Sequence, residues 1–308
     1  YIIYVPVNYD GTNTVPLLFS FHGGSGYAND HMQMVEMNNI ADTAGFICVY
    51  PQAALDVNGA DPGTTPSTSW LHKSPTNHND VNFIAAIIDT LSNEFLVDQQ
   101  RIYACGYSEG GIFSYELGCR LNHRIAAFAS VSGSMLTDFF RADYGFGLCA
   151  PSHPTAVMLI PGTNDGNFHS TYTGFQPYYL SANEITDYWS NYNQTDQNPI
   201  VTSLPNINTS DGSTVEKKEW ANGDNCVSVE GNCTNNPSPQ IGTIMSYCHT
   251  TSSGSIIDFH QVVVNNALNP GILGASCLTL CPFYGCTDSN ATNYDPTATV
   301  DDGSCTYA

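Results

Sequence analysis

In Gly106-Tyr107-Ser108-Glu109-Gly110-Gly111 a serine stands two residues from a glycine on either side. A serine hydroxyl becomes a nucleophile when a base takes its proton, an acid orients that base, and N–H donors receive the oxyanion that its attack creates. The apolar run Arg101 to Cys105 before this turn reads as a strand, and Gly111 to Leu121 after it reads as a helix. A strand, a Gly-x-Ser-x-Gly turn and a helix in that order predict a nucleophile elbow. The glycines lack a Cβ, so the chain can turn sharply and leave Ser108 strained and exposed above the strand end. The helix that begins just after it aims backbone N–H groups at an anion formed there.

The other parts of such a site have candidates in the right chain order. His22-Gly23-Gly24-Ser25-Gly26 follows the apolar strand Val15 to Phe21, so Gly23 and Gly24 are expected to donate to the oxyanion. The N–H of Glu109, next after the nucleophile, is the second expected donor. His22 precedes the serine and is read as a residue that orients this loop. In an α/β-hydrolase sheet the acid comes after the serine and the histidine last. Asp165, in the loop Pro161 to Gly166 after the strand Thr155 to Ile160, is therefore the expected acid. His249 and His260 are the candidates for the base. His169, four residues from Asp165, is too near to bridge Asp165 and Ser108.

These residues need a scaffold, and the chain supplies strands alternating with helices. Strands are expected at 1–7, 15–21, 46–50, 101–105, 125–131 and 155–160, with later ones at 200–203 and 214–220. Helices are expected at 30–44, 81–95, 111–121 and 181–192, the second on the helical spacing of Val81, Ile84, Ala85, Ile88 and Leu91. Such alternation predicts a mostly parallel sheet with helices on both faces. A long Gly/Pro/Thr/Ser-rich stretch, Gln52 to Asn79, is expected to shape a cleft.

Composition sets the surroundings. Seven Lys+Arg against 28 Asp+Glu give a formal net charge of -21 at pH 7, a sign that opposes nucleic acid and anionic lipid. No apolar run is long enough to span a membrane. Eleven cysteines, densest after residue 225, point to disulfides and an oxidising compartment. Zinc competes for them less well, because no Cys-x-x-Cys pair is present. The chain opens directly on the strand-like Tyr1 to Pro6, which is read as a mature or truncated N-terminus, with any export signal outside this sequence.

Tyr4-Val5-Pro6, His22-Gly23-Gly24, Val49-Tyr50-Pro51-Gln52, Ser69-Trp70, Asn79 to Ile84, Val97 to Tyr103, the elbow and Gly162 to Asp165 occur in one order. In these, residues 1 to about 230 resemble the secreted polyhydroxybutyrate depolymerase and feruloyl esterase group of α/β hydrolases. The resemblance implies the α/β-hydrolase fold, an extracellular place and hydrolysis of a carboxylic ester through an acyl-enzyme on Ser108. It implies no metal or other cofactor, and a polymer or plant cell-wall ester as substrate. Trp70 is either a cleft residue, as the resemblance implies, or a core tryptophan.

The likeness stops after Cys226 to Glu230, where the group carries a Gly-Gly-His-x-Trp-Pro-Gly type segment that this chain lacks. In its place Gly242 to His249, a turn-like block, resembles the Met-turn of metzincin metallopeptidases. No His-Glu-x-x-His ligand motif accompanies it, so no zinc site is expected. Ser255 to Leu268 is read as a helix. The tail from Gly285 to Cys305 resembles a Cys-bounded acidic repeat of secreted bacterial proteins. It is read as a solvated acidic spacer, with Ca²⁺ at its aspartates as the alternative, and with a Cys286–Cys305 bridge. The expected organisation is an esterase domain at 1–230, a Met-turn-like segment at 231–276 and a small disulfide-rich tail at 277–308. A hydrolase scaffold without catalysis, serving in extracellular binding, is the competing reading.

Overall fold

Val15–Phe21 (Val-Pro-Leu-Leu-Phe-Ser-Phe) is apolar at every position but Ser20, and a strand of that kind is stable where both of its faces are covered. The computed structural model covers them. It describes residues 1–56, 67–71, 79–143, 145–163, 173–204, 214–221, 223, 244–249, 284–285, 288–292, 300–301 and 305–307. In chain order the elements are β1 (Ile2–Tyr4), β2 (Val15–Phe21), α1 (Ala28–Val35), α2 (Met37–Ala44), β3 (Ile47–Tyr50), β4 (Leu55–Asp56) and β5 (Ser67–Thr68). They continue as α3 (Asp80–Glu94), β6 (Val97–Tyr107), α4 (Glu109–Arg120), β7 (Ala127–Val131), α5 (Asp138–Asp143), β8 (Ala156–Ile160) and α6 (Ala182–Tyr192). The last are β9 (Ile200–Ser203), β10 (Val215–Trp220), β11 (Ile244–His249), β12 (Tyr284–Gly285) and β13 (Val300–Asp301).

Nine strands form one sheet in the order β1-β3-β2-β6-β7-β8-β11-β10-β9. From β3 to β11 all neighbours are parallel, and the antiparallel pairs lie at the two edges. Alternation along each strand divides the core. Leu17, Phe19, Phe21, Ile102, Ala104 and Phe128 face α3, α4 and α6, while Leu18, Tyr103, Cys105, Ala127 and Ala129 face α1 and α2. This is the period of two expected of a sheet buried on both sides.

Several elements differ from the sequence reading. The single helix expected over 30–44 is two, because Glu36 takes a left-handed conformation (φ 46°) that ends α1 and starts α2. The elbow strand is longer than 101–105, beginning at Val97. The short helix α5 has no counterpart in the sequence reading. Residues 244–249, read as turn-like, are a strand that pairs in parallel with β8 and antiparallel with β10. The helix expected at 255–268 lies outside the described residues.

α4 is tied down at its far end. Cys119 and Cys149 form a disulfide, Arg120 stands 4.6 Å over the Phe146 ring, and Glu116 pairs with Arg141 of α5, with both side chains buried. A buried pair of this sort is costly to break from one side, since the charge left behind has no compensation. In the tail, Asp288 accepts from the Asn290 amide (2.9 Å) and from the Tyr307 hydroxyl (2.7 Å). Cys305 is disulfide-bonded, and Cys286, its expected partner, lies outside the described residues.

Candidate active site

Ser108 sits at the joint between β6 and α4 with φ 53° and ψ -119°. An L-residue holds that backbone only where the surroundings impose it. Here the Ser108 N–H donates to the Val131 carbonyl (2.8 Å) and its own carbonyl accepts from Ile112 (3.0 Å), so the strand ladder and the first turn of α4 both grip the residue. The glycines around it make the joint possible. A Cβ on Gly110 would lie 2.4 Å from the Phe21 carbonyl oxygen, and one on Gly133 would lie 2.5 Å from that of Ser108.

The loop 22–26 leaves the end of β2, the strand beside β6, and so arrives next to the elbow. A Cβ on Gly23 would stand 3.3 Å from Ser108 Cβ, and one on Gly24 would stand 2.8 Å from Glu109 Oε2. Gly23, Gly24, Ser108 and Glu109 are therefore brought together, as their spacing predicts. His22 shapes this loop. Its Nδ1 is 2.7 Å from the Gly23 carbonyl and its Nε2 accepts the Ala53 N–H at 3.1 Å. One ring nitrogen donating and the other accepting is the neutral tautomer, and burial lowers the pKa of His22 in the same sense. With both nitrogens engaged in the loop, His22 is an orienting residue, as its place before the serine suggested.

Trp70 is 1% exposed, which corrects the reading that places it in the cleft. It lies under the loop, stacked on Phe113 at 5.1 Å, and donates from Nε1 to the His22 carbonyl at 2.8 Å. An indole that is buried needs an acceptor, and the loop provides it. Gln52 and Thr68 complete the grip: Gln52 Oε1 accepts from Ala28 N–H, and Thr68 Oγ1 donates to the Gly26 carbonyl. Sequence reasoning gave neither residue a role, although Gln52 lies in one of the stretches that carry the family resemblance. Asp165 and His260 lie outside the described residues. His249 closes β11, three strands away from β6.

Beneath the same sheet edge His31 of α1 is buried, with Nε2 2.9 Å from Ser20 Oγ. Burial, followed by the neighbouring His22, lowers its pKa to about 3. The folded protein thus refuses a proton that the unfolded chain accepts below about pH 6.5. Stability contributed by the neutral ring is complete above that pH and is lost as pH falls toward 3. His31→Gln is expected to flatten the acid limb of a chemical-denaturation stability profile by up to about 1.4 kcal/mol per pH unit in that window. An unchanged slope would show that His31 does not carry it.

No family model matches the chain. It is 29% identical over 163 residues to a bifunctional acetylxylan esterase/xylanase of Neocallimastix patriciarum, covering 53% of this chain and 21% of that protein. It is 24% identical over 261 residues to feruloyl esterase B of Piromyces equi, covering 83% of this chain and 43% of that protein. The chain thus spans less than half the length of either relative. Among solved structures, an acetyl xylan esterase from Aspergillus awamori superposes with a TM-score of 0.55 at 13% identity, over 85% of this chain and 92% of that one. The sheet order and this superposition show the α/β-hydrolase fold.

Proposed function

We propose that this chain carries the catalytic domain of a serine carboxylic-ester hydrolase. The observation that carries the reading is the backbone of Ser108, φ 53° and ψ -119°, at the strand–helix joint with Gly23 packed against its Cβ. In this reading Ser108 Oγ attacks the ester carbonyl while its proton passes to a histidine. The carbonyl oxygen becomes an oxyanion facing the Glu109 N–H and the Gly23-Gly24 loop. Collapse expels the alcohol, which takes the histidine's proton and leaves an acyl group on Ser108. Water, deprotonated by the same histidine, then releases the carboxylic acid.

Asp165, five residues beyond the end of β8, is the proposed acid. The position of β11 favours His260 over His249 as the base. Neighbouring strands are ~4.8 Å apart, so β11 lies about 14 Å from β6 at the same level. A histidine and a serine reach each other over roughly 10 Å between α-carbons, hydrogen bond included. His249, fixed in its strand, falls short, which leaves His260 as the proposed base.

The relatives named as feruloyl and acetylxylan esterases support a plant cell-wall ester as the substrate. Polyhydroxybutyrate is the polymer that the sequence resemblance adds. The cysteine-rich C-terminal part supports secretion; because β11 (Ile244–His249) lies within the hydrolase sheet, the proposed hydrolase unit extends past residue 230, with 277–308 as the appendage. Purified protein is expected to hydrolyse nitrophenyl acetate and to be labelled by a fluorophosphonate. Rates on methyl ferulate, acetylated xylan and polyhydroxybutyrate then rank the substrates. Activity is expected to fall much further in His260→Ala than in His249→Ala. Absence of both hydrolysis and labelling would reject the esterase and favour the non-catalytic binding protein.

A further inference from the structure

Glu109 plays two separable parts at the elbow. Its backbone N–H belongs to the proposed oxyanion hole, and any residue but proline would supply it. Its side chain does something else. Glu109 Oε1 accepts a hydrogen bond from Ser69 Oγ at 2.5 Å, while Oε2 covers Gly24, where an added Cβ would come within 2.8 Å. Ser69 is buried, 9% exposed, and its Oγ also accepts the Leu71 N–H at 3.3 Å.

The strand of chain that carries Ser69 holds the loop at three further points. The Thr68 carbonyl accepts the Ser25 N–H at 2.8 Å, Thr68 Oγ1 donates to the Gly26 carbonyl at 2.7 Å, and Trp70 Nε1 donates to the His22 carbonyl at 2.8 Å. Residues 68–70 are thus bonded to both ends of the loop 22–26, and Ser69, between them, is bonded to the residue after the nucleophile. We propose that the Glu109 carboxylate is a positioning residue that, through Ser69, fixes the separation between the loop 22–26 and the Glu109 N–H, and so sets the width of the oxyanion hole. This rests on the esterase reading only for its kinetic consequence.

The sign of the effect separates positioning from electrostatics. A carboxylate beside a developing oxyanion opposes it, and Glu109's charge is felt nearby, since it helps burial raise the Asp80 carboxyl to about 7. If charge were all that mattered, Glu109→Ala would raise kcat. If positioning matters, Glu109→Ala lowers it, because a displacement of about 1 Å in such a site costs up to ~100-fold.

The expected results are a loss of about 10- to 100-fold in kcat for Glu109→Ala with KM held within about threefold, and substantial recovery in Glu109→Gln, which keeps an acceptor for Ser69 Oγ. Ser69→Ala should show the same kind of loss, and the double variant should lose no more than the worse single one, because the two side chains act as one link. A readout that needs no activity accompanies these: amide hydrogen exchange in segment 23–26 should quicken in Glu109→Ala and less so in Glu109→Gln. Thermal melting confirms that each variant is folded. The proposal is overturned if a folded Glu109→Ala keeps or gains kcat, if the losses multiply in the double variant, or if exchange in the loop does not change. A wild-type protein without ester hydrolysis or fluorophosphonate labelling would sink the esterase reading instead, and the exchange experiment would still decide on Glu109.

Discussion

Ser108→Ala is expected to reduce kcat on a nitrophenyl ester by about 10⁴-fold or more and to abolish fluorophosphonate labelling. In the proposed mechanism the oxygen removed is the one that bonds to the acyl carbon, and no other group described near the elbow can replace it. His22 holds the loop with both ring nitrogens. Serine 69 donates to Glu109 at 2.5 Å. Substrate binding should survive, because KM reflects the cleft and not the attacking oxygen. Folding should survive too, since alanine keeps the Cβ at the strained φ of 53° and the backbone bonds to Val131 and Ile112 do not involve the hydroxyl. A melting temperature within a few degrees of wild type, with labelling lost, is the expected pair of results. Labelling retained in Ser108→Ala would place the nucleophile elsewhere.

Gly106→Ala carries the largest expected stability effect. A Cβ at this position would stand 2.2 Å from both the carbonyl carbon and the oxygen of Gly110, and 2.8 Å from the Gly111 nitrogen. All three are backbone atoms in the first turn of α4. No rotamer change relieves such a clash, so either β6 or α4 must move, and α4 is held at its other end by the Cys119–Cys149 disulfide. A loss on the order of 4 kcal/mol follows, or roughly 10 °C in melting temperature for a domain of this size. Gly147→Ala is the control: a Cβ there meets nothing within 4 Å, and the change should stay within about 0.5 kcal/mol. A Gly106→Ala protein that melts like the control would mean that strand and helix do not approach as closely as described.

The two glycines on either side of Ser108 show how much of the candidate site could be read from the chain. Gly106 and Gly110 are close in sequence to the serine they serve, and the steric reason for them is local, so the pattern announces the turn. The loop 22–26 was legible for a similar reason, being a glycine run at the end of an apolar strand. Fold class followed from alternation and period: of the positions expected on the apolar face of α3, Val81, Ile84, Ile88 and Leu91 are buried and Ala85 is half-buried, and β2 is buried from Pro16 to Phe21.

Other features depend on who lies beside whom. Residues 244–249 look like a turn in isolation, yet they pair along β8 and β10 as a strand, because unpaired ladder groups on a sheet edge stabilise whatever backbone completes them. Trp70 could be a cleft or a core residue until its Nε1 is seen to meet the His22 carbonyl across 48 positions of sequence. The link from Glu109 to Ser69 spans 40. Chain order alone allows both His249 and His260 as the base, and it does not say that His249 ends a strand three places from β6. Local sterics and periodicity are written in neighbouring residues and can be read there; distances across a sheet come from register and packing, which the chain acquires on folding.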